Sequence, residues 1–327
     1  MIFRNPALIA LIIMFSFITL GAKPLERIAN EMGVQGETQF NDGQYLDAAQ
    51  SFLGAIDNYK QAVRVDNIPE DVNKIFTWYN HTYQAYLNAG DFNKALEIMD
   101  KKIELQPDNF DLIKDKAIIL KKYLDKPLDA IQVLKDFDSK KRDFEVEKRI
   151  ASYYADLEDY EKALYWYQKA YEIKKDSVVI QYIASLNVKL GRNQAAIQAY
   201  EDFLATNPKT AVLAKTYRNM GALYEEIKND RKSIEYFEKS NEIKYDNKVT
   251  LLLIVKYYDY LQFDKATENI NKLLAKRPGD HDAIYYRAKI AFDKDQKKAA
   301  RSDFSKLLND PKYGKVAKGY IESIDSE

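Results

Sequence analysis

Small and aromatic residues recur at helical spacing along one face of the segment 157–176, which reads LEDYEKALYWYQKAYEIKKD. Tyr160, Ala163, Tyr167 and Ala170 are three or four positions apart, so they share one stripe of an α-helix. An ordinary amphipathic helix in an ordinary core would explain this stripe. One unit of a repeating array would explain it equally well, because alanines let a neighbouring helix approach closely and aromatic rings fill the space beside it.

The pattern recurs along the chain. A small residue is followed four positions later by an aromatic or aliphatic residue at eight places. These pairs begin at Ala48, Ala95, Ala130, Ala163, Ala196, Ser233, Ala266 and Ala300. Their successive spacings are 47, 35, 33, 33, 37, 33 and 34 residues. Six of these spacings lie close to the roughly 34-residue length of a helix–turn–helix repeat, which favours the repeating array.

Other residue types keep the same period. A small residue often stands twelve positions before a pair, as at Gly36, Ala151, Ala184, Gly221 and Ala288. Prolines stand twelve positions after a pair at Pro107, Pro208 and Pro278, where they can end the second helix of a unit. Over about residues 29–312 this combination resembles the tetratricopeptide repeat family.

The resemblance implies an all-α fold, a right-handed superhelical solenoid of antiparallel helix pairs. We expect about eight units over residues 23–312, followed by a C-terminal capping helix and tail over residues 313–327. Tyr313, Val316 and Tyr320 fall on one face of that last segment. The 47-residue spacing predicts that the second helix of the first unit is unusually long.

Residues 1–22 have the pattern of a secretory signal peptide. Arg4 precedes the apolar run Ala7–Leu20, whose 14 residues would span about 21 Å as a helix, less than the roughly 30 Å of a bilayer core. We therefore expect a protein that is secreted or periplasmic, in a bacterial-type envelope. The alternatives are an uncleaved membrane anchor formed by residues 6–22, since Leu20 stands where a small residue is preferred for cleavage, and a buried core helix.

Composition and charge restrict the classes of function. The 50 basic and 50 acidic residues balance, and no block of like charge offers the surplus that binding to nucleic acid requires. The chain has no cysteine, which excludes disulfides, thiol catalysis and cysteine-ligated metals. Its two histidines, His81 and His281, lie in distant units, and no carboxylate pair is singled out as acid and base. We expect no enzyme activity, no cofactor and no metal.

The resemblance implies that the first helix of each unit lines a concave groove that binds partners. The groove positions that we select as candidate partner contacts are Asn80, Gln84, Asn88, Lys122, Lys148 and Arg218. The first three recur every four residues, and their amides can donate to and accept from a peptide backbone. The cations indicate a mildly basic groove centre. Alternatively, the amides form a plain solvated face and the cations pair with acids such as Asp156 or Glu225.

The sequence therefore predicts a non-enzymatic scaffold that binds a protein or peptide partner. A second hypothesis is a small-molecule carrier that accompanies a solute transporter, which a closed apolar pocket near Tyr258, Tyr285 and Phe292 would favour. A third is a self-assembling scaffold in which terminal repeats of different molecules stack. Membrane contact is expected only through an uncleaved N-terminal segment.

Overall fold

The computed structural model describes residues 24–326, and every regular element within that range is helical. The described residues divide into two compact units, 24–157 and 158–326. The predicted signal peptide or anchor lies outside the described residues. Among residues 24–326, no helix is long and apolar enough to cross a membrane.

The first unit contains seven helices within the described residues. They are α1 (Leu25–Asn41), α2 (Tyr45–Val65), α3 (Val72–Ala89), α4 (Phe92–Leu105), α5 (Phe110–Ile118), α6 (Pro127–Lys140) and α7 (Phe144–Asp156). A π-helical turn, Ile119–Tyr123, follows α5 directly. Consecutive helices pack against each other, and the short connections make them antiparallel pairs.

The second unit contains ten helices up to residue 326. They are α8 (Tyr160–Ile173), α9 (Ser177–Lys189), α10 (Asn193–Ala205), α11 (Thr210–Glu226), α12 (Asp230–Ile243), α13 (Asn247–Asp259), α14 (Phe263–Lys276), α15 (His281–Asp293), α16 (Lys297–Ser305) and α17 (Gly314–Ser326). Here too each helix packs on the next, and α13 also contacts α15. The expected all-α fold of helix pairs is therefore confirmed.

Local sequence determines where many helices begin. Aspartate side chains accept hydrogen bonds from the first free backbone amides of seven helices. These N-caps are Asp71, Asp91, Asp143, Asp159, Asp176, Asp246 and Asp280. Each cap satisfies donors that the helix itself leaves unpaired and contributes about 1 kcal/mol. At the other end of α3, Gly90 adopts a φ of 75°, a left-handed conformation that ends the helix at little cost.

Close helix contacts explain the small residues of the repeat. Ala163 and Ala170 are fully buried, and Tyr167 beside them is 3% exposed. A Cβ atom added to Gly36 would lie 2.8 Å from the ring of Phe52, so only glycine fits between α1 and α2 there. The stripe in segment 157–176 thus belongs to a repeating array rather than to an ordinary core helix.

Two helix pairs, both in the first unit, depart from the regular repeat. Helix α2 has 21 residues, which confirms the predicted long second helix. Helix α5 has only nine residues before the π-helical turn, in which the amide of Leu124 donates to the carbonyl of Ile119 at 3.1 Å. The sequence pattern did not predict this turn, because an i→i+5 bond shifts the helix face without changing the composition.

The C-terminal helix α17 packs on α16, and its buried face differs in part from the one expected. Tyr313 is 8% exposed and Ala317 is fully buried, and Tyr320 stacks on Phe304 with ring centroids 4.5 Å apart. Val316 is 44% exposed, so its predicted place on this face was wrong. Ala317, four positions after Tyr313, faces the neighbouring helix instead.

Candidate functional site

A cleft of 370 Å³ opens in the first unit between α1 and α3. Its lining residues come from three helices. They are Glu37, Phe40 and Asn41 of α1, Phe52 of α2, and His81 and Gln84 of α3. Phe52 is only 1% exposed and forms the floor, while Glu37, Asn41 and Gln84 carry their polar groups at the rim.

Glycines on α1 determine where the cleft begins. A Cβ atom added to Gly33 would lie 2.7 Å from Nε1 of Trp78, so α1 and α3 touch closely at that level. Glu37 lies one turn further along α1 and Phe40 two turns further, and at their level the two helices leave the cleft between them. Gly36 permits the ring of Phe52 to lie against α1 beneath it.

The cleft combines aromatic walls with polar groups that have no protein partner. The rings of Phe52 and His81 have centroids 5.0 Å apart at an angle of 53°. Nδ1 of His81 is buried and makes no hydrogen bond to any residue that the structure describes. No residue of the described chain forms an ion pair or side-chain hydrogen bond with Glu37. The site can therefore offer one free carboxylate and two side-chain amides beside an apolar floor.

The amide ladder lies on α3 as predicted, but only one of its members lines the cleft. Gln84 is exposed at the rim, and Asn80, one turn earlier, is half-buried. Nδ2 of Asn88 donates to the backbone oxygen of Gln84 at 2.9 Å, which ties Asn88 to its own helix. The structure thus singles out Gln84 among the three.

The predicted cations are spread over both units. Lys122 is exposed in the π-helical turn, with its ammonium 5.1 Å from the centroid of the Tyr123 ring. Lys148 of α7 pairs with Glu145 at 2.7 Å. In the second unit, Arg218 of α11 pairs with Asp246 at 3.2 Å.

Two of these three cations are therefore neutralised by acids close to them, which reduces the basic character expected of the groove centre. The acids proposed as their alternative partners pair with other lysines. Asp156 pairs with Lys121, and Glu225 pairs with Lys256 at 2.8 Å. The alternative interpretation, that the cations pair with neighbouring acids, is therefore correct for Lys148 and Arg218, but their partners are Glu145 and Asp246.

Sequence reasoning missed most of the cleft. The repeat pattern predicts only an aromatic or aliphatic residue at Phe52, four positions after Ala48, and it gives His81 no place in a binding site. Glu37, Phe40 and Asn41 are spaced at i, i+3 and i+4, so they share a face of α1, and this was the available signal. That signal does not show that the face opens toward a gap rather than toward solvent.

The three rings near which a small-molecule carrier would need a closed pocket, those of Tyr258, Tyr285 and Phe292, pack against other aromatic rings. Tyr285 stacks on Tyr313 with centroids 4.2 Å apart, and Phe292 meets Tyr320 edge-on at 4.9 Å. Tyr258 also packs against a neighbouring ring, that of Tyr286, at 5.4 Å. This packing provides no support for the closed pocket that the carrier hypothesis requires.

Lys102 is a buried lysine that lies between two aromatic rings. The ammonium of Lys102 in α4 lies 4.6 Å from the centroid of the Tyr83 ring and 5.6 Å from that of Phe76. Burial lowers the pKa of Lys102 and raises the pKa of Tyr83 to about 12. Cation–π contacts of this kind stabilise the charge inside the helix packing, which accounts for the lysine structurally.

Metal binding finds no support in the part of the chain that the structure describes. Within residues 24–326, no group of three or more acidic or histidine side chains could hold an ion. His81 belongs to the first unit. His281, in the second, lies 2.5 Å from Asp310 through its Nδ1 atom, and this contact lowers the pKa of the aspartate.

Comparison with known families identifies the repeat. A tetratricopeptide repeat model matches residues 149–177 and residues 214–247, and the second match covers most of α11 and all of α12. These two stretches are tetratricopeptide repeats, a class that generally serves as a non-enzymatic scaffold. A search of curated proteins finds no match to this sequence.

Three solved structures align with this chain, and the first, with a TM-score above 0.5, has the same fold. The structure of Naa15/Naa10 bound to HypK-THB aligns with 77% of this chain and 39% of its own, at 13% identity and a TM-score of 0.55. YrrB, described as having an unusual peptide-binding site, aligns over 57% of this chain and 97% of its own, at 16% identity and a TM-score of 0.47. A tetratricopeptide repeat protein from Parabacteroides merdae covers 76% and 98%, at 18% identity and a TM-score of 0.43.

Proposed function

We propose that this protein is a non-enzymatic scaffold that binds a protein or peptide partner, and that the cleft between α1 and α3 is a contact site. The observation that carries the proposal is the free polar rim around an aromatic floor. Ligand sites commonly combine apolar walls with a few polar groups that fix orientation, and 370 Å³ accommodates one or two side chains of a partner.

The polar groups of the rim suit a peptide. The amides of Gln84 and Asn41 can each donate and accept, as the backbone of an extended chain requires. The ring of Phe52 provides a surface on which an inserted side chain could bury apolar area. Asn80 and Asn88 extend the same face of α3 in both directions and remain candidate secondary contacts, while Lys122, Lys148 and Arg218 stay predictions that the cleft does not use.

The fold supports this proposal in a general way. Helix-pair repeats bury one face against their neighbours and present another as an extended binding surface. The aligned structure is that of Naa15/Naa10 bound to HypK-THB, and by analogy we infer a macromolecular partner here. The carrier hypothesis has no comparable support, because the rings of Tyr258 and Tyr285 pack against other rings.

A location in a bacterial-type envelope is part of the proposal and depends on residues 1–22. We expect fractionation to recover the protein outside the cytosol, and mass spectrometry of its N-terminus to show cleavage after the apolar run. An intact N-terminus in the membrane fraction would instead support the anchor formed by residues 6–22. Full-length protein in the cytosol would contradict both.

Partner capture tests the binding site directly. A photo-crosslinking amino acid is placed at Gln84, and a control at Glu97, which is exposed on the neighbouring helix α4. We expect a crosslinked partner from position 84 and none from position 97 after irradiation of the intact envelope. A pull-down with Asn80, Gln84 and Asn88 replaced by alanine should lose the same partner. Equal crosslinking at both positions, or none at position 84, would exclude the cleft.

A further inference from the structure

The cleft between α1 and α3 has a chemistry that selects one class of side chain. Resting on the proposed function, we infer that it receives a cationic side chain of the partner, with arginine preferred over lysine. The occupant is thus a peptide segment that carries an exposed basic residue. Three features of the first unit carry this inference: an uncompensated carboxylate, an aromatic wall, and two amide oxygens at the rim.

Within residues 24–326, the carboxylate of Glu37 forms no ion pair with a cation. Helices α1 to α3, residues 25–89, contain nine acidic and four basic residues, a net charge of −5. Of those four cations, Arg27 pairs with Glu31 at 3.1 Å and Lys74 pairs with Glu26 at 3.2 Å. None of the four lines the cleft, so Glu37 attracts a positive group from outside the chain.

The aromatic wall suits the body of a long cationic side chain. Phe40, Phe52 and His81 present ring surfaces to the cleft, and the alkyl stem of an arginine or lysine can lie along such rings. A guanidinium above a ring face gains a further cation–π attraction. The narrow volume favours one extended side chain over a bulky aromatic group.

The amides make arginine the better fit. A guanidinium has five N–H donors in one plane, while an ammonium has three on a single atom. The carboxylate of Glu37 can accept two of the five, and the amide oxygens of Asn41 and Gln84 can accept others. The alternatives fit poorly, because an anionic side chain would meet Glu37 and a wholly apolar one would leave its carboxylate dehydrated and unpaired.

Peptide binding to the full-length protein tests the inference. The probes are fluorescein-labelled hexapeptides of the form Gly-Ser-Xaa-Ser-Gly-Ser, in which Xaa is arginine, lysine, citrulline or glutamate. Citrulline has nearly the shape of arginine without its charge. In fluorescence anisotropy titrations we expect the arginine peptide to bind at least tenfold more tightly than the citrulline peptide, with lysine between them and glutamate weakest.

A matched pair of variants assigns the preference to one residue. Glu37→Gln should abolish the difference between arginine and citrulline peptides while leaving the circular dichroism melt unchanged. Glu97→Gln, the same change on exposed α4, should retain the full preference. Equal binding of the two peptides by the unmodified protein, no binding of the arginine peptide at millimolar concentration, or an intact preference in Glu37→Gln would each overturn the inference.

The failure of this inference is distinguishable from that of the proposed function. If crosslinking from Gln84 captures a partner whose crosslinked segment has no basic residue, and capture persists in Glu37→Gln, the cleft binds a partner but does not select a cation. If crosslinking from Gln84 captures nothing, both the binding role of the cleft and its preference for a cation are contradicted.

Discussion

The glycine at position 36 offers a sharp test of the packing that forms the cleft, because the same substitution should have opposite effects at two helical glycines. In Gly36→Ala the new methyl group would lie 2.8 Å from two ring carbons of Phe52, a distance that real Cβ atoms essentially never show. In Gly319→Ala, within α17, nothing lies within 4 Å of the added methyl. Both residues are inside helices, so the intrinsic gain in helix propensity is the same.

The two contributions can be compared. Replacing glycine by alanine within a helix stabilises it by about 1 kcal/mol. Gly319→Ala should therefore raise the free energy of unfolding by about 0.5–1 kcal/mol. At Gly36 the ring of Phe52 is 1% exposed and has little room to move, and overpacking of this kind costs about 1–3 kcal/mol. The net effect of Gly36→Ala should be a loss of about 1 kcal/mol.

Tryptophan fluorescence can follow each unit separately, because Trp78 lies in the first unit and Trp166 in the second. In a Trp166→Phe background, urea unfolding monitored at Trp78 should shift to lower urea for Gly36→Ala. In a Trp78→Phe background, Gly319→Ala should shift the transition to higher urea. If Gly36→Ala were as stabilising as Gly319→Ala, α1 and α2 would not approach as closely as the structure shows, and the derivation of the cleft would fail.

Three further predictions concern caps, charge and the C-terminal helix. Asp71→Ala removes the side-chain acceptor for two amides at the start of α3, so urea unfolding should show a loss of about 1 kcal/mol, with Glu70→Ala as a near-neutral control. Burial opposes ionisation of Asp303, but the hydrogen bonds that its carboxylate accepts from Arg287, at 2.6 and 2.8 Å, and from a neighbouring lysine outweigh burial and lower its pKa. Asp303→Asn should therefore lower the free energy of unfolding by about 2 kcal/mol at neutral pH. Since the pKa of folded Asp303 lies below the ordinary value of 3.8, that difference in stability should persist above pH 3.8 and vanish as the pH falls through the folded pKa. An unchanged difference at pH 2 would contradict the assignment. Deleting residues 311–327 uncovers the apolar face of α16, so light scattering should detect concentration-dependent association, whereas a monomeric deletion variant would argue against a capping role for α17.

The sequence placed three candidate contacts on one helix, α3, but did not reveal the other residues of the cleft that Gln84 lines. The four-residue spacing of Asn80, Gln84 and Asn88 showed that they share a face of α3, because that relation depends only on helical geometry. It did not show that Gln84 alone meets the cleft, or that Asn88 bonds back to its own helix. Nor did spacing identify Phe52 as the floor, because its depth depends on how closely α1 lies upon it.

Local rules determined much of this protein from the sequence alone. The 33- to 37-residue period predicted paired helices, the acidic caps account for where many of them begin, and the long spacing after Ala48 predicted the length of α2. Tertiary structure alone decided the π-helical turn after α5, the partners of Lys148 and Arg218, and the cleft beside Glu37. The physical reason is that periodicity fixes which residues share a face, whereas a cleft and an ion pair depend on distances between helices. Those distances follow from contacts such as that of Gly33 with Trp78, between residues far apart in the chain.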